Sequence, residues 1–250
     1  MISHLYPDGH LIPPHYHRRG QLISSATGVI VLGTQTGTWV VPPQRGMWIP
    51  PATEHRVRAV GVANTQSLYL EPDAIPDMPQ HCQVVGISPF MRGLLTEALS
   101  LPLEYELNGR EGALMELIRH ELRQLPTLPL ALPYPAYEPL ATRCRAFMQQ
   151  PHVHETIDDW CLALGMSRRA FTRLFKQETG LSFMAWRQQA CLMFAMPRLA
   201  AGESVTTVAM DLGYENPASF TLMFKRSFGS PPLAYLGCRA RPMAVSGSAD

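Results

Sequence analysis

The chain has 250 residues, 46% apolar and 16% charged, with a formal net charge of +1, which fits two ordinary globular domains and excludes a disordered or fibrous chain. No apolar run approaches the roughly 18 residues needed to cross a bilayer, and the start "MISHLYPDGHLIPPHYH" lacks the basic and apolar regions of a secretory signal; the protein is expected in the cytoplasm, with no membrane partner. Five scattered cysteines, Cys82, Cys144, Cys161, Cys191 and Cys238, form no CxxC pair and read as reduced, buried thiols.

The first signals along the chain are β. "QLISSATGVIVLG", "GTWVVPP", "GMWIPPATEHRVRAV" and "TQSLYLEP" are short runs rich in Val, Ile, Thr and aromatics, cut by Gly and Pro, and they predict a small antiparallel barrel or sandwich. Within this region Gly9, His15, His17, Gln21 and Gly28, followed by Gly46, Pro50, Ala52 and His55, resemble the two sequence motifs of cupin barrels, with Gln21 where the first motif ends in Glu. The resemblance implies two readings. In metal-binding cupins the positions matching His15, His17, Gln21 and His55 are the ligands, and alternate strand residues share a face, so His15 and His17 would point together at a divalent transition metal. In the other reading His15, His17 and His55 line or rim an apolar pocket with Trp39, Trp48 and Tyr69 that takes a small organic effector. Trp39 and Trp48 serve equally as plain core.

Ser88 is placed to cap a helix over "PFMRGLLTEALSL", and "REGALMELIRHELRQL" repeats Leu114, Leu117, Ile118, Leu122 and Leu125 at helical spacing. That stripe either covers the barrel or pairs with a second chain. Pro126, Pro129, Pro133, Pro135 and Pro139 then fall at intervals that no helix or central strand tolerates. Residues 126–138 are therefore expected to be a semi-extended linker between a sensor and dimerisation domain, 1–125, and a second domain, 139–237, with a tail at 238–250.

Beyond the linker everything reads as helix, and one phrase is written twice. "AFTRLFKQETG" from Ala170 returns 49 residues later as "SFTLMFKRSFG" from Ser219. In the first copy a helix from Ile157 breaks at Gly165, Ser167 caps a second helix, and that helix runs to about Thr179. In the second copy a helix from Val205 breaks at Gly213, Asn216 caps, Pro217 takes the first helical position, and the helix runs to about Phe228. Two helices joined by a Gly-containing turn form a helix-turn-helix.

The charge balance is −2 over residues 1–137 and +3 over 138–250, and the only two lysines, Lys176 and Lys225, hold the same position of the two repeats. In the first copy Arg168, Arg169, Thr172, Arg173 and Lys176 oppose the apolar stripe, where arginine suits guanine O6 and N7 and lysine a phosphate. The helix from Phe183 to about Leu199 spans roughly 25 Å and can set two reading helices about one DNA turn apart, roughly 34 Å. Pro197 is expected to kink or shorten its last turn.

"LALGMSRRAFTRLFKQETGLSFMAWR" and "VTTVAMDLGYENPASFTLMFKRSFGSPPLAY" make residues 139–237 resemble the DNA-binding domain of the AraC/XylS family of bacterial transcription regulators. The resemblance implies a seven-helix domain that binds double-stranded promoter DNA, with Ser167, Arg168, Arg169, Thr172, Arg173 and Lys176 in one reader and Asn216, Ala218, Thr221, Leu222 and Lys225 in the other. Ala218, Thr221 and Leu222 stand where members often carry long polar or basic side chains, so phosphate and thymine-methyl contacts are expected there. The fold class expected is α+β in two domains: an N-terminal cupin-like β-barrel with following helices, and a C-terminal all-α double helix-turn-helix. The function expected is an effector-responsive, homodimeric, sequence-specific regulator that meets RNA polymerase if it is an activator. The rival readings are a metal-dependent cupin enzyme with an accessory helical domain, against which no acid or base completes the histidine set, and a non-specific architectural DNA protein, which the modest positive charge disfavours.

Overall fold

The computed structural model describes residues 1–236; Cys238 and the tail 238–250 lie outside the described residues. The N-terminal half is a nine-stranded antiparallel sheet built on two long strands, β3 (Gly20–Gly33) and β6 (His55–Leu70), which pair along their length with register shifts between Ser25 and Val29. At that bend Gly28 takes φ +68°, and a Cβ there would lie 2.8 Å from Val62 O and Ala63 Cα, so only glycine lets the two strands turn together. On the far side of β6 lie β1 (Ile2–Tyr6) and β2 (Leu11–His15); on the far side of β3 lie β4 (Gly37–Val41) and β5 (Arg45–Ile49), with β7 (Gln83–Gly86) next to β5. The sequence runs "GMWIPPATEHRVRAV" and "TQSLYLEP" are thus redistributed: the first splits at Pro50 and Pro51, and its second part joins the other run in β6.

The folded sheet has two apolar faces. One carries Ile23, Met47, Ile49, Val57 and Val84, and the other carries Leu22, Trp48, Leu68, Leu70 and Val85. The second face is covered by α1 (Pro89–Leu99), capped by Ser88 Oγ accepting from Met91 N–H at 3.0 Å, and by α2 (Arg110–Arg123). Of the α2 stripe, Ile118 and Leu122 are buried and Leu114 and Leu125 pack beside them, while Leu117 is 39% exposed. The stripe covers the sheet; only Leu117 is left over.

The segment read as a linker is part of the sheet. Thr127–Leu128 forms β8 against β7, and Ala131–Pro133 forms β9 against β4, with Leu130 and Leu132 fully buried. Gly86 N–H donates to Pro126 O at 2.9 Å and Val40 N–H to Leu130 O at 3.2 Å. The prolines keep their carbonyl acceptors and lack only donors, so short edge strands accommodate them.

The helical half comprises α3 (Glu138–Phe147), α4 (Ile157–Leu164), α5 (Arg168–Thr179), α6 (Phe183–Ala200), α7 (Val205–Asp211), α8 (Pro217–Phe228) and α9 (Pro232–Tyr235). Both helix-turn-helix units have the boundaries and caps that the sequence indicates. Pro197 does not shorten α6, which continues to Ala200. From Ala190 to Ala200 this helix has no exposed residue, because it packs between the two reading units on one side and β3, β4, β6 and β9 on the other, joining both halves in one continuous core.

Candidate DNA-binding interface and sensor cluster

Each reading helix is aimed by its caps. Ser167 Oγ accepts from Ala170 N–H at 3.3 Å and Asn216 Oδ1 from Ala218 N–H at 2.8 Å, so both side chains are spent on the helix start. At the other ends Gly180 and Gly229 take φ +73° and +81° and close the helices. Phe171 and Phe175 anchor α5, and Phe220 and Phe224 anchor α8.

The opposite face of α5 presents Arg168, Arg169, Thr172, Arg173, Lys176 and Gln177 around one open surface concavity. Arg168 Nη1 lies 3.2 Å from both carboxylate oxygens of Asp158 on α4, which ties the start of the reader to the helix before it. Among the described residues no ion pair occupies Arg169, Arg173 or Lys176. These three stand on one edge of the helix with their donors unspent.

On α8 the matching positions are Ala218 for Arg169, Leu222 for Arg173 and Lys225 for Lys176. Leu222 is 51% exposed, an isolated apolar side chain on a solvent face. Thr221 is part-buried and its hydroxyl folds back on the helix, donating to Pro217 O at 3.0 Å. Ser219 and Arg226 share the exposed face, and neither they nor Gln177 were among the sequence candidates. Continuing the four-residue step from Arg173 and from Leu222 would have found Gln177 and Arg226.

In the sheet domain the structure gathers part of the expected sensor set. The rings of His15 and His55 are 4.4 Å apart, His17 and His55 5.1 Å, and His17 and Tyr69 5.3 Å. Gln21 Nε2 donates to Ser67 Oγ at 2.9 Å and Tyr69 OH at 3.1 Å, and Gln21 Oε1 is 2.9 Å from His17 Nε2. His15 Nδ1 donates to Pro13 O, His17 Nδ1 to Arg19 O and His55 Nδ1 to Thr53 O. His55 is buried, and loss of hydration pushes its pKa down to about 4, helped by the neighbouring imidazoles and opposed by its bond to Thr53.

Trp39 and Trp48 do not join this cluster. Trp48 lies on the other face of the sheet, in the core under α1 and α2, with its indole N–H donated to Pro79 O at 2.8 Å. Trp39 sits on β4 between Leu32 and Ala131. Both are core residues. Of the set expected for a metal, Gln21 Oε1 lies 2.9 Å from His17 Nε2, and among the described residues no group of three or more His, Cys, Asp or Glu is arranged to hold a metal ion.

The two halves meet along α6. Trp186 Nε1–H donates to Pro133 O at 2.8 Å, and Gln189 donates to Ala131 O. Glu178, at the end of α5, accepts from the backbone N–H groups of Ala136 and Tyr137 at 2.7 and 3.1 Å. Thus β9 hydrogen-bonds the sensor sheet through β4 and the helical domain through α6, and the next residues reach the reading helix itself.

Residues 2–128 match the model of the AraC-like ligand binding domain and residues 160–237 that of a helix-turn-helix domain. The chain is 34% identical over 224 residues to the HTH-type transcriptional regulator NimR of Escherichia coli, covering 90% of this chain and 82% of that protein. The chain is a member of the AraC family of transcriptional regulators. The regulator is also 26% identical over 237 residues to the HTH-type transcriptional regulator YobQ of Bacillus subtilis, covering 88% and 87% of the two chains. Among solved structures, ToxT of Vibrio cholerae aligns at 9% identity and TM-score 0.40 over 94% of this chain and 96% of that one. The regulator pairs a ligand-binding domain with a DNA-binding domain, and the reading as a metal-dependent enzyme is set aside. No helix among the described residues is long and apolar enough to cross a membrane.

Proposed function

We propose that the regulator works in the cytoplasm and reads two half-sites of double-stranded promoter DNA with α5 and α8, under control of a small-molecule effector taken up by the sheet domain. The observation that carries the DNA reading is the unpaired edge of Arg169, Arg173 and Lys176. Arg169 and Arg173 are the base readers, Lys176 and Lys225 hold phosphates, and Leu222 meets a thymine methyl. The effector meets the polar cluster of His17, Gln21, His55, Ser67 and Tyr69, which shares a sheet face with the buried Ile23, Met47 and Ile49. Its effect on DNA affinity equals its difference in affinity for the two states of the protein, carried through β4, β9 and α6. As a homodimer the regulator pairs through the face of α2 around Leu117, and as an activator it meets RNA polymerase.

The test is selection of DNA from a random pool by the full chain, followed by binding of Arg169→Ala and Arg173→Ala to the selected sequence and to scrambled DNA. Loss of discrimination in both variants supports the reading. Wild-type discrimination in both defeats it.

A further inference from the structure

The linking helix carries one device twice. Arg187 and Arg198 each lie over the ring of the phenylalanine four residues earlier, Phe183 at 5.8 Å and Phe194 at 5.3 Å. They are separated by eleven residues, close to three full turns, so both leave α6 on nearly the same face. Each grips the same position of a different helix-turn-helix unit. Arg187 donates to the backbone carbonyl of Glu155, the residue before the N-cap Thr156 of α4. Arg198 grips Glu203, the residue before the N-cap Ser204 of α7, with Nε at 3.0 Å from each carboxylate oxygen and Nη2 at 2.6 Å from Oε2.

The second grip is the more complete. Arg198 Nη2 also reaches the Asp211 carboxylate at the last position of α7, so one guanidinium holds both ends of that seven-residue helix. The backbone closes the same turn, with Glu203 N–H donating to Arg198 O at 3.1 Å. The two carboxylates raise the pKa of Arg198, and its side chain is only 22% exposed. A paired, partly sheltered guanidinium fixes direction as well as distance. Since α7 is packed on α8, whatever fixes α7 on α6 also fixes the second reader relative to the first.

We propose that Arg198, with Arg187 as its counterpart, is a positioning residue that sets the distance and rotation between the two reading helices and so selects the half-site spacing that the regulator accepts. This rests on the two-half-site reading above. One base pair added between half-sites turns the second by about 34° and moves it by about 3.4 Å, which a rigid clasp does not follow and a loosened one does.

The experiment uses the full chain and the DNA selected by it. The wild type is measured on the selected sequence, on versions with one base pair inserted or removed between half-sites, and on a fragment holding only the half-site read by α5. The wild type should lose about tenfold in affinity on either spacing change. Arg198→Ala should bring that ratio to about threefold or less, with Arg198→Lys in between, and leave binding to the single half-site within about twofold of wild type. If Arg198→Ala does not fold by circular dichroism, the near-isosteric pair Glu203→Gln and Asp211→Asn, which removes the charges and keeps the shape, decides in its place. A spacing ratio unchanged in the folded variant overturns the inference. A wild type indifferent to spacing brings down the two-half-site reading itself, and the inference with it.

Discussion

The two helix-turn-helix units share a backbone plan and differ in what they spend it on. Thr156 and Ser204 cap the first helices, Gly165 and Gly213 turn the chain with positive φ, and Ser167 and Asn216 cap the readers. Inside, the first unit places Trp160 where the second has Val208. The Trp160 ring lies within 6.3 Å of Phe147, Phe171, Phe175, Phe183 and Trp186, whereas the second unit is held by Phe220, Phe224, Phe228 and Tyr235 at its far end. Outside, Arg169 and Arg173 face Ala218 and Leu222 across the repeat. A duplicated scaffold keeps its caps, turns and core anchors because the backbone needs them, while its solvent face is free to diverge. Here the divergence leaves α5 with arginines at two positions where α8 has Ala218 and Leu222, and gives α8 an exposed arginine, Arg226, where α5 has Gln177.

The comparison breaks first in the core. Trp160→Ala should cost about 3–5 kcal/mol, and Val208→Ala about 1.6 kcal/mol for two methyl-sized groups; urea unfolding midpoints measure both, and equal losses would show that the units share their load evenly. At the DNA face, Arg173→Ala should cost about 1–3 kcal/mol against the selected site. Leu222→Ala should cost less, and a larger specificity change from Leu222 would reverse the ranking of the readers. Lys176→Ala should weaken binding to all sequences alike and flatten the salt dependence by about one phosphate contact, read from binding at several salt concentrations.

The turns give the finest distinction. At Gly165 a Cβ meets nothing within 4 Å, so Gly165→Ala pays only for its positive φ, about 1 kcal/mol. At Gly213 a Cβ would fall 2.2 Å from His152 Nε2, so Gly213→Ala should be more destabilising by the cost of displacing that ring. Thermal melts of the two variants separate these outcomes, and the double change Gly213→Ala, His152→Ala should bring the second turn close to the first. Self-association is a smaller matter: Leu117→Glu should weaken it without unfolding the domain, as followed by sedimentation, whereas Leu122, 3% exposed in the core, cannot carry a charge and stay folded.

The helical half was legible because its signals are local. Caps, glycine turns and the apolar stripes of α5 and α8 are set by residues within one or two turns, and a second copy in register confirms each of them. The sheet was legible in part. β3, β4 and β5 announce themselves by their Val, Ile, Thr and aromatic content and by Gly and Pro breaks, but β1 is almost wholly exposed, and β7 is four residues long. The expected sensor cluster divides in the same way: His15 lies at the end of β2 as its strand signal suggests, but His17 falls in the loop beyond it, so the two do not share a strand face and meet through packing against His55, while Trp39 and Trp48 were assigned to the cluster by residue type alone.

By itself, then, the sequence determined the two reading units, their limits, their caps and the charged face of α5, since each depends on contacts a few residues long. Only the tertiary structure decided that the Pro-rich segment is a pair of edge strands, that the α2 stripe is spent on the sheet, that Trp48 lies on the face opposite the histidines, and that α6 is a buried axle held by Arg187 and Arg198. Each of those outcomes depends on which distant surface comes to lie against the segment. Its own residues state that they must be buried or paired, but not against what.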